Sequence, residues 1–151
     1  MGILPIALLT AAFSVLDSGD LATPDEARGM LKQFAQHYKE VGRSRALMDF
    51  DSGMRPYFDP NRDLYVVCVT PLRRVAAYGP DPKLVGSPMD VLKDGEGKPL
   101  GASILKAGSA KAGGSVPFKA RSAATGKLEP RVVFAQKFGN DVCGVSVRTG
   151  K

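Results

Sequence analysis

Tryptophan is absent from this chain, histidine occurs once (His37) and cysteine twice (Cys68 and Cys143). One histidine and no paired Cys or His spacing leave nothing on which to build a zinc site. There is no G-x-S-x-G elbow. The glycines between residues 95 and 101 are not fed by a strand and are not followed by G-K-S/T, so they do not make a phosphate loop. Asp94-Gly95-Glu96-Gly97 has half the look of a calcium loop, but lacks the alternating oxygen ligands and the closing glutamate. The acidic residues lie mostly in turns and at helix starts, where solvation and capping account for them. No nucleophile–base pair survives inspection. The reading is therefore not an enzyme, with no metal and no cofactor.

An apolar run long enough to cross a bilayer comfortably is also missing. Met1 to Leu16 carries no charged side chain, and Ile3 to Leu16 is almost wholly apolar, but that is fourteen residues. The length suits the core of a signal peptide, although no Lys or Arg precedes it and the candidate cleavage sites after it are weak. The other reading is a buried N-terminal helix. Residues 1–22 are taken as the export segment and residues 23–151 as one domain, which places the protein in the periplasm or outside the cell. The net charge of +6 is spread along the sequence, and basic-aromatic motifs of the RNA-binding type are absent. A solvated basic surface is expected, not nucleic-acid binding.

What is present is a legible series of elements. Thr23-Pro24-Asp25-Glu26 is a helix start, with Thr23 as cap, Pro24 at the first helical position and Glu26 where a capping box wants it. Ala27, Met30, Leu31, Phe34, Tyr38 and Val41 then recur at helical spacing. Gly42 ends this helix, and Ser44 is placed to cap a second one through Phe50. Leu64 to Val69 is a short β-branched run bounded by Asp63 and Pro71, hence a strand. Pro71 to Arg74 turns the chain and Val75 to Tyr78 runs back. Pro99 opens a helix through Ile104, Leu105 and Ala107. Val116 to Ser122, Leu128 to Phe138 and Val142 to Val147 are three more strands, separated by turns at Thr125-Gly126 and Gly139-Asn140-Asp141. The order gives an α+β fold with a five-stranded antiparallel sheet.

The chemistry-bearing side chains on these strands are aromatic and cationic: Tyr65, Tyr78, Phe118, Arg121, Phe134, Gln136 and Lys137. Rings exclude water and a cation pairs with an anion, so such a set suits a small carboxylate. Alternation puts Tyr65 with Val67 and Val69 on one face, and Phe134 with Gln136 on one face. Ordinary core aromatics with solvated bases is the competing reading. Cys68 and Cys143 each sit in an apolar strand, either as a disulfide in an exported protein or as two small buried thiols.

Arg62-Asp63-Leu64-Tyr65-Val66-Val67, then Ala77 and Asp81-Pro82-Lys83-Leu84-Val85-Gly86, resemble the single-Cache sensor domain. Leu92-Lys93-Asp94, Gly97-Lys98-Pro99, Thr125-Gly126-Lys127 with Glu129-Pro130, and Gly139 to Val147 continue the likeness in the same order. It runs from about residue 24 to the C-terminus. The resemblance implies a PAS-like fold: a long N-terminal helix, a sheet of strand order 2-1-5-4-3, and a helix-containing loop over the sheet. Strands one and five would then be neighbours, bringing Cys68 and Cys143 within reach of each other. It also implies an extracytoplasmic sensor of small organic acids or amino acids, working in signal transduction or chemotaxis. With no second apolar span or signalling module in the sequence, the domain is expected to be free-standing and to need a membrane-bound signalling partner. The departures fall at the pocket: Tyr78-Gly79 stands for the usual His-Pro, Ser115 for a Trp, Ala120 for an aromatic, and Phe134 and Gln136 for a Tyr and a Lys. The rival hypothesis is a pocketless interaction module that forms a homodimer through the Thr23–Val41 helix.

Overall fold

A computed structural model describes residues 20–122 and 125–150. Most of the segment read as an export signal, residues 1–19, lies outside the described residues. The fold is α+β: three α-helices on the two faces of one antiparallel sheet. Helices α1 (Pro24–Val41) and α2 (Arg43–Phe50) come first, then the strands β1 (Phe58–Asp59), β2 (Leu64–Val69) and β3 (Val75–Tyr78). Helix α3 (Gly101–Ser109) leads into the meander β4 (Gly114–Arg121), β5 (Leu128–Phe138) and β6 (Asp141–Arg148).

The sheet order is β1-β2-β6-β5-β4, with β3 paired to β2 on the same edge as β1. Without β1 this is the 2-1-5-4-3 order. The two-residue β1 makes a sixth strand inside what reads as a loop: Phe58 pairs with Tyr65 and Asp59 with Leu64. It is invisible to periodicity because two residues show none. At the start of α1, Thr23 Oγ1 accepts from the Glu26 amide at 3.2 Å. Ser44 does not cap α2. Gly42, at φ 84°, closes α1 through its amide to the Tyr38 carbonyl and is itself the residue before α2, so one glycine serves both helices.

Each face of the sheet has its own core. On one, α1 and α2 bring Ala27, Leu31, Phe34, Tyr38, Leu47 and Phe50 down on Val66, Cys68, Phe134, Cys143, Val145 and Val147. The register pairs Cys68 with Cys143, and the two are joined as a disulfide under α1. At the far end of this layer the buried Asp141 carboxylate accepts from Tyr38 Oη (2.6 Å) and Arg43 Nε (2.8 Å), which ties the helix pair to the β5–β6 turn. Burial and that carboxylate push the Tyr38 phenol up to about 12.

On the other face α3 and the Met89–Leu92 segment lie over Val67, Val69, Val75, Val133, Ala135 and Val142. Leu84 joins this cover only in part, and Val85 is exposed. The main cover on this face is thus Met89 to Ile104. Gly108 is what lets α3 sit so low. A Cβ there would overlap Val142 Cγ1 and approach Ala135 Cβ to 3.2 Å. Gly108→Ala is therefore expected to lower stability by about 1–3 kcal/mol by overpacking, measured as a drop in urea midpoint, despite alanine's higher helix propensity.

Candidate functional site

Between the start of β2, the end of β3, the end of β4 and the first residues of β5, the second face holds a cavity of about 200 Å³. Its walls are Tyr65, Tyr78, Phe58 and Leu64, with Pro60, Pro80 and Ala120 around them. Three charged groups complete the lining: Asp63, Arg121 and Arg131. The local sequence accounts for the arrangement. Odd-numbered positions of β2 and β5 face this side, so Tyr65 stands beside Val67, and Arg131 beside Val133. The Tyr65 and Tyr78 rings meet edge to face at 5.7 Å and 88°. Burial pushes the Tyr78 phenol well above its ordinary value, with the neighbouring Tyr65 adding to the shift, so it remains a neutral donor at physiological pH.

Arg131 is 2% exposed. Its guanidinium lies 4.9 Å from the Tyr65 ring centroid. Nε donates to Ser146 Oγ (3.1 Å) and Nη2 to the Asp63 carbonyl (2.5 Å), while Nη1 sits 3.7 Å from the Asp63 carboxylate. Asp63 is buried and holds a left-handed backbone at φ 53°, which aims both its carbonyl and its carboxylate at the cavity floor. Ser122 Oγ donates a short hydrogen bond to the same carboxylate. At the mouth, the exposed Arg121 donates from Nη1 to the Gly126 carbonyl at 2.7 Å. The lining therefore carries two guanidiniums against one carboxylate. The surplus positive charge is that of Arg121, at the mouth of the apolar, ring-walled space.

A second contact fixes Tyr78 from behind. Its amide, at the free edge of β3, donates to Asp51 Oδ1 at 3.1 Å, just past the end of α2. Burial raises the Asp51 pKa, and the Tyr78 amide offsets part of that rise.

Of the seven residues expected at a pocket, Tyr65, Tyr78 and Arg121 meet at this cavity. Phe118 is on the same face, paired across strands with Arg131, but packs in the α3-side core outside the lining. Phe134 and Gln136 are elsewhere. Phe134 faces α1, where the Arg28 guanidinium lies 4.4 Å from its ring centroid, and Gln136 lines a shallow groove with Arg28 and Lys32 on that same side. The two do share a face, but the sheet separates it from Tyr65. Lys137 is exposed near the end of α3, on the cavity side of the sheet yet remote from the cavity. Arg131, Asp63 and Phe58 were not expected. For Arg131 a signal existed: it is the one base at the inward positions of β5 until Lys137, in step with Val133 and Ala135.

No protein-family model matches the chain, and no curated protein matches it. Solved structures do. A methyl-accepting chemotaxis protein from Vibrio parahaemolyticus RIMD 2210633 superposes with TM-score 0.67 at 16% identity, over 82% of this chain and 86% of that one. The periplasmic sensor domain of a chemotaxis protein gives TM-score 0.59 at 16% identity, covering 83% and 90% of the two chains. A Cache chemosensory domain described for carboxylic acid recognition gives TM-score 0.58 at 16% identity, covering 83% and 88%. The chain thus has the α+β fold of the single-Cache, PAS-like sensor domains. No helix among the described residues is long and apolar enough to cross a membrane.

Proposed function

We propose that the protein is an extracytoplasmic sensor domain that binds a small organic acid or amino acid in the Tyr65–Tyr78–Arg131 cavity. One observation carries this reading. The cavity is walled by apolar and aromatic side chains, and its lining carries two guanidiniums, Arg131 buried beside Asp63 and Arg121 exposed at the mouth, against one carboxylate. A cationic surplus at the mouth of such a cavity is complementary to a monoanion, whose carboxylate would take charge-assisted hydrogen bonds while the rings exclude water. About 200 Å³ lies below the roughly 300–1,000 Å³ of pockets for drug-sized ligands, so the ligand must be small. The fold, shared with periplasmic chemotaxis sensor domains, supports an exported location and a readout through a membrane-bound signalling partner.

The rival reading, a pocketless module dimerising through α1, finds little to stand on. The outward side of α1 presents Asp25, Glu26, Arg28, Lys32, Gln33, Gln36, Lys39 and Glu40, a polar face. A panel of small monocarboxylates and amino acids should contain a compound that raises the melting temperature of the wild-type protein. At a hundredfold excess over its Kd the native state gains about 2.7 kcal/mol, a shift of several degrees. Tyr65→Ala and Tyr78→Ala should lose that shift while keeping the far-ultraviolet circular dichroism of the parent. A full response in both variants would remove the site assignment.

A further inference from the structure

Two side chains at the tip of the β2–β3 hairpin are out of place for their type, and the cavity uses neither. Leu72 is 84% exposed, the most exposed large apolar side chain among the described residues. Arg73 has φ 61°, a left-handed backbone that favours glycine or asparagine. The turn is closed by Thr70, whose carbonyl accepts from the Arg73 amide (2.9 Å) and whose amide donates to the Arg74 carbonyl (2.8 Å). The Arg73 carbonyl also accepts from the Met89 amide at 2.8 Å. All these bonds are main-chain, and glycine at 73 would make them equally well. An arginine there costs stability and gives the turn nothing.

The charges at the tip are also unmatched. Arg28, Arg43, Arg45, Arg55, Arg62, Arg131 and Arg148 each stand within 4 Å of a carboxylate. Among the described residues only Arg73, Arg74 and Arg121 have no such partner; Arg121 bonds the Gly126 carbonyl, and Arg74 Nη1 reaches only the Gly86 carbonyl at 3.3 Å. Position adds to the argument. The amide of Ala22 bonds the Arg62 carbonyl, and Ser146 pairs with Tyr65, so both ends of the described chain leave at the beginning of β2. The tip follows the end of β2, at the opposite pole.

We propose that Leu72, Arg73 and Arg74 form a docking tip for an anionic lipid bilayer. An exposed leucine followed by two guanidiniums fits the boundary where acyl chains meet phosphates: the leucine enters the apolar side and the arginines stay at phosphate level. A protein partner is the poorer match, because a specific protein interface buries about 800 Å² per side and is anchored by aromatic side chains, which a three-residue tip does not supply. The surface is independent of the cavity.

The test is co-sedimentation of the full chain with vesicles of phosphatidylcholine, alone or mixed with phosphatidylglycerol, read as the ratio of the two partition coefficients. That ratio cancels the apolar contribution of the N-terminal segment, which is alike for both lipids. The ratio should exceed one and fall with added salt. It should drop about fivefold in Arg73→Gly and again in Arg74→Gln. Leu72→Ser should lower binding to the mixed vesicles. Arg73→Gly should at the same time melt about 2–5 °C higher than the parent, because the left-handed strain is relieved. A ratio of one, a ratio unchanged by both arginine variants, or an Arg73→Gly protein that melts lower than its parent would each overturn the proposal.

Discussion

Replacing Cys68 and Cys143 together by alanine is expected to cost about 4.5 kcal/mol. The bridge closes a loop with sequence separation 75, and the chain-entropy relation for a loop of that length gives this figure. For a domain of this size it corresponds to a fall of roughly 10–20 °C in melting temperature. The loss is large because the bridge joins β2 to β6 across elements far apart in sequence: between them lie β3, α3, β4 and β5. Both sulfurs are buried under α1, so slow reduction of the native protein and fast reduction in urea are expected. Melting with and without reductant in urea, beside the double variant, checks both. The cavity lies on the opposite face of the sheet, so the double variant should still bind ligand at a temperature where it remains folded.

Arg131→Ala is expected to cost about 3–5 kcal/mol, far more than an ordinary truncation, because it removes a buried guanidinium that bonds the Asp63 carbonyl and stands beside its carboxylate. The Tyr65 ring loses its cationic neighbour at the same time. The diagnostic is a double-mutant cycle with Asp63→Asn. If the two groups compensate each other, the double variant should be more stable than Arg131→Ala alone, with a coupling energy of about 0.5–3 kcal/mol in urea denaturation. Additive losses would mean that Asp63 draws its compensation elsewhere. Arg121→Ala gives the contrast. Arg121 is exposed at the mouth, so its removal should change stability by no more than about 0.5 kcal/mol while weakening the ligand response.

Much of the architecture was legible because it is written in short-range signals. The Thr23–Glu26 helix start, the β-branched run of β2 and the glycine-marked turns of the meander are local, and each lies where those residues place it. The strand order came from the family resemblance and agrees with the pairing of β2 with β6. What could not be read was the relation between layers. Alternation sorts Tyr65 from Val66 and Phe134 from Ala135, but it does not say which set of β5 shares a face with which set of β2. That depends on cross-strand register. The pairs Cys68↔Cys143 and Phe134↔Val145 settle it. Cys68, Cys143, Val145 and Phe134 share the α1 face, and Tyr65, three residues before Cys68, takes the other. The aromatic set therefore divides between two cores, and the cation in the cavity is Arg131. A lone base among valines reads as an edge or solvent position when the register is unknown. Its partner Asp63 reads as a strand-bounding turn residue, which it also is: its left-handed backbone ends the turn and aims the carbonyl that Arg131 needs.

A small monoanion is proposed to bind between Tyr65, Tyr78 and Arg131. Titrating isotope-labelled protein with acetate, propionate, lactate, pyruvate and the common amino acids, and following backbone amide resonances, tests it most directly. The account predicts saturable shifts with at least one of these compounds, largest at Tyr65, Tyr78, Ala120, Arg121 and Arg131, and small at Ser115, Phe134 and Gln136 beyond the sheet. Shifts centred on the α1 face, or no saturable shift with any of them, would contradict it.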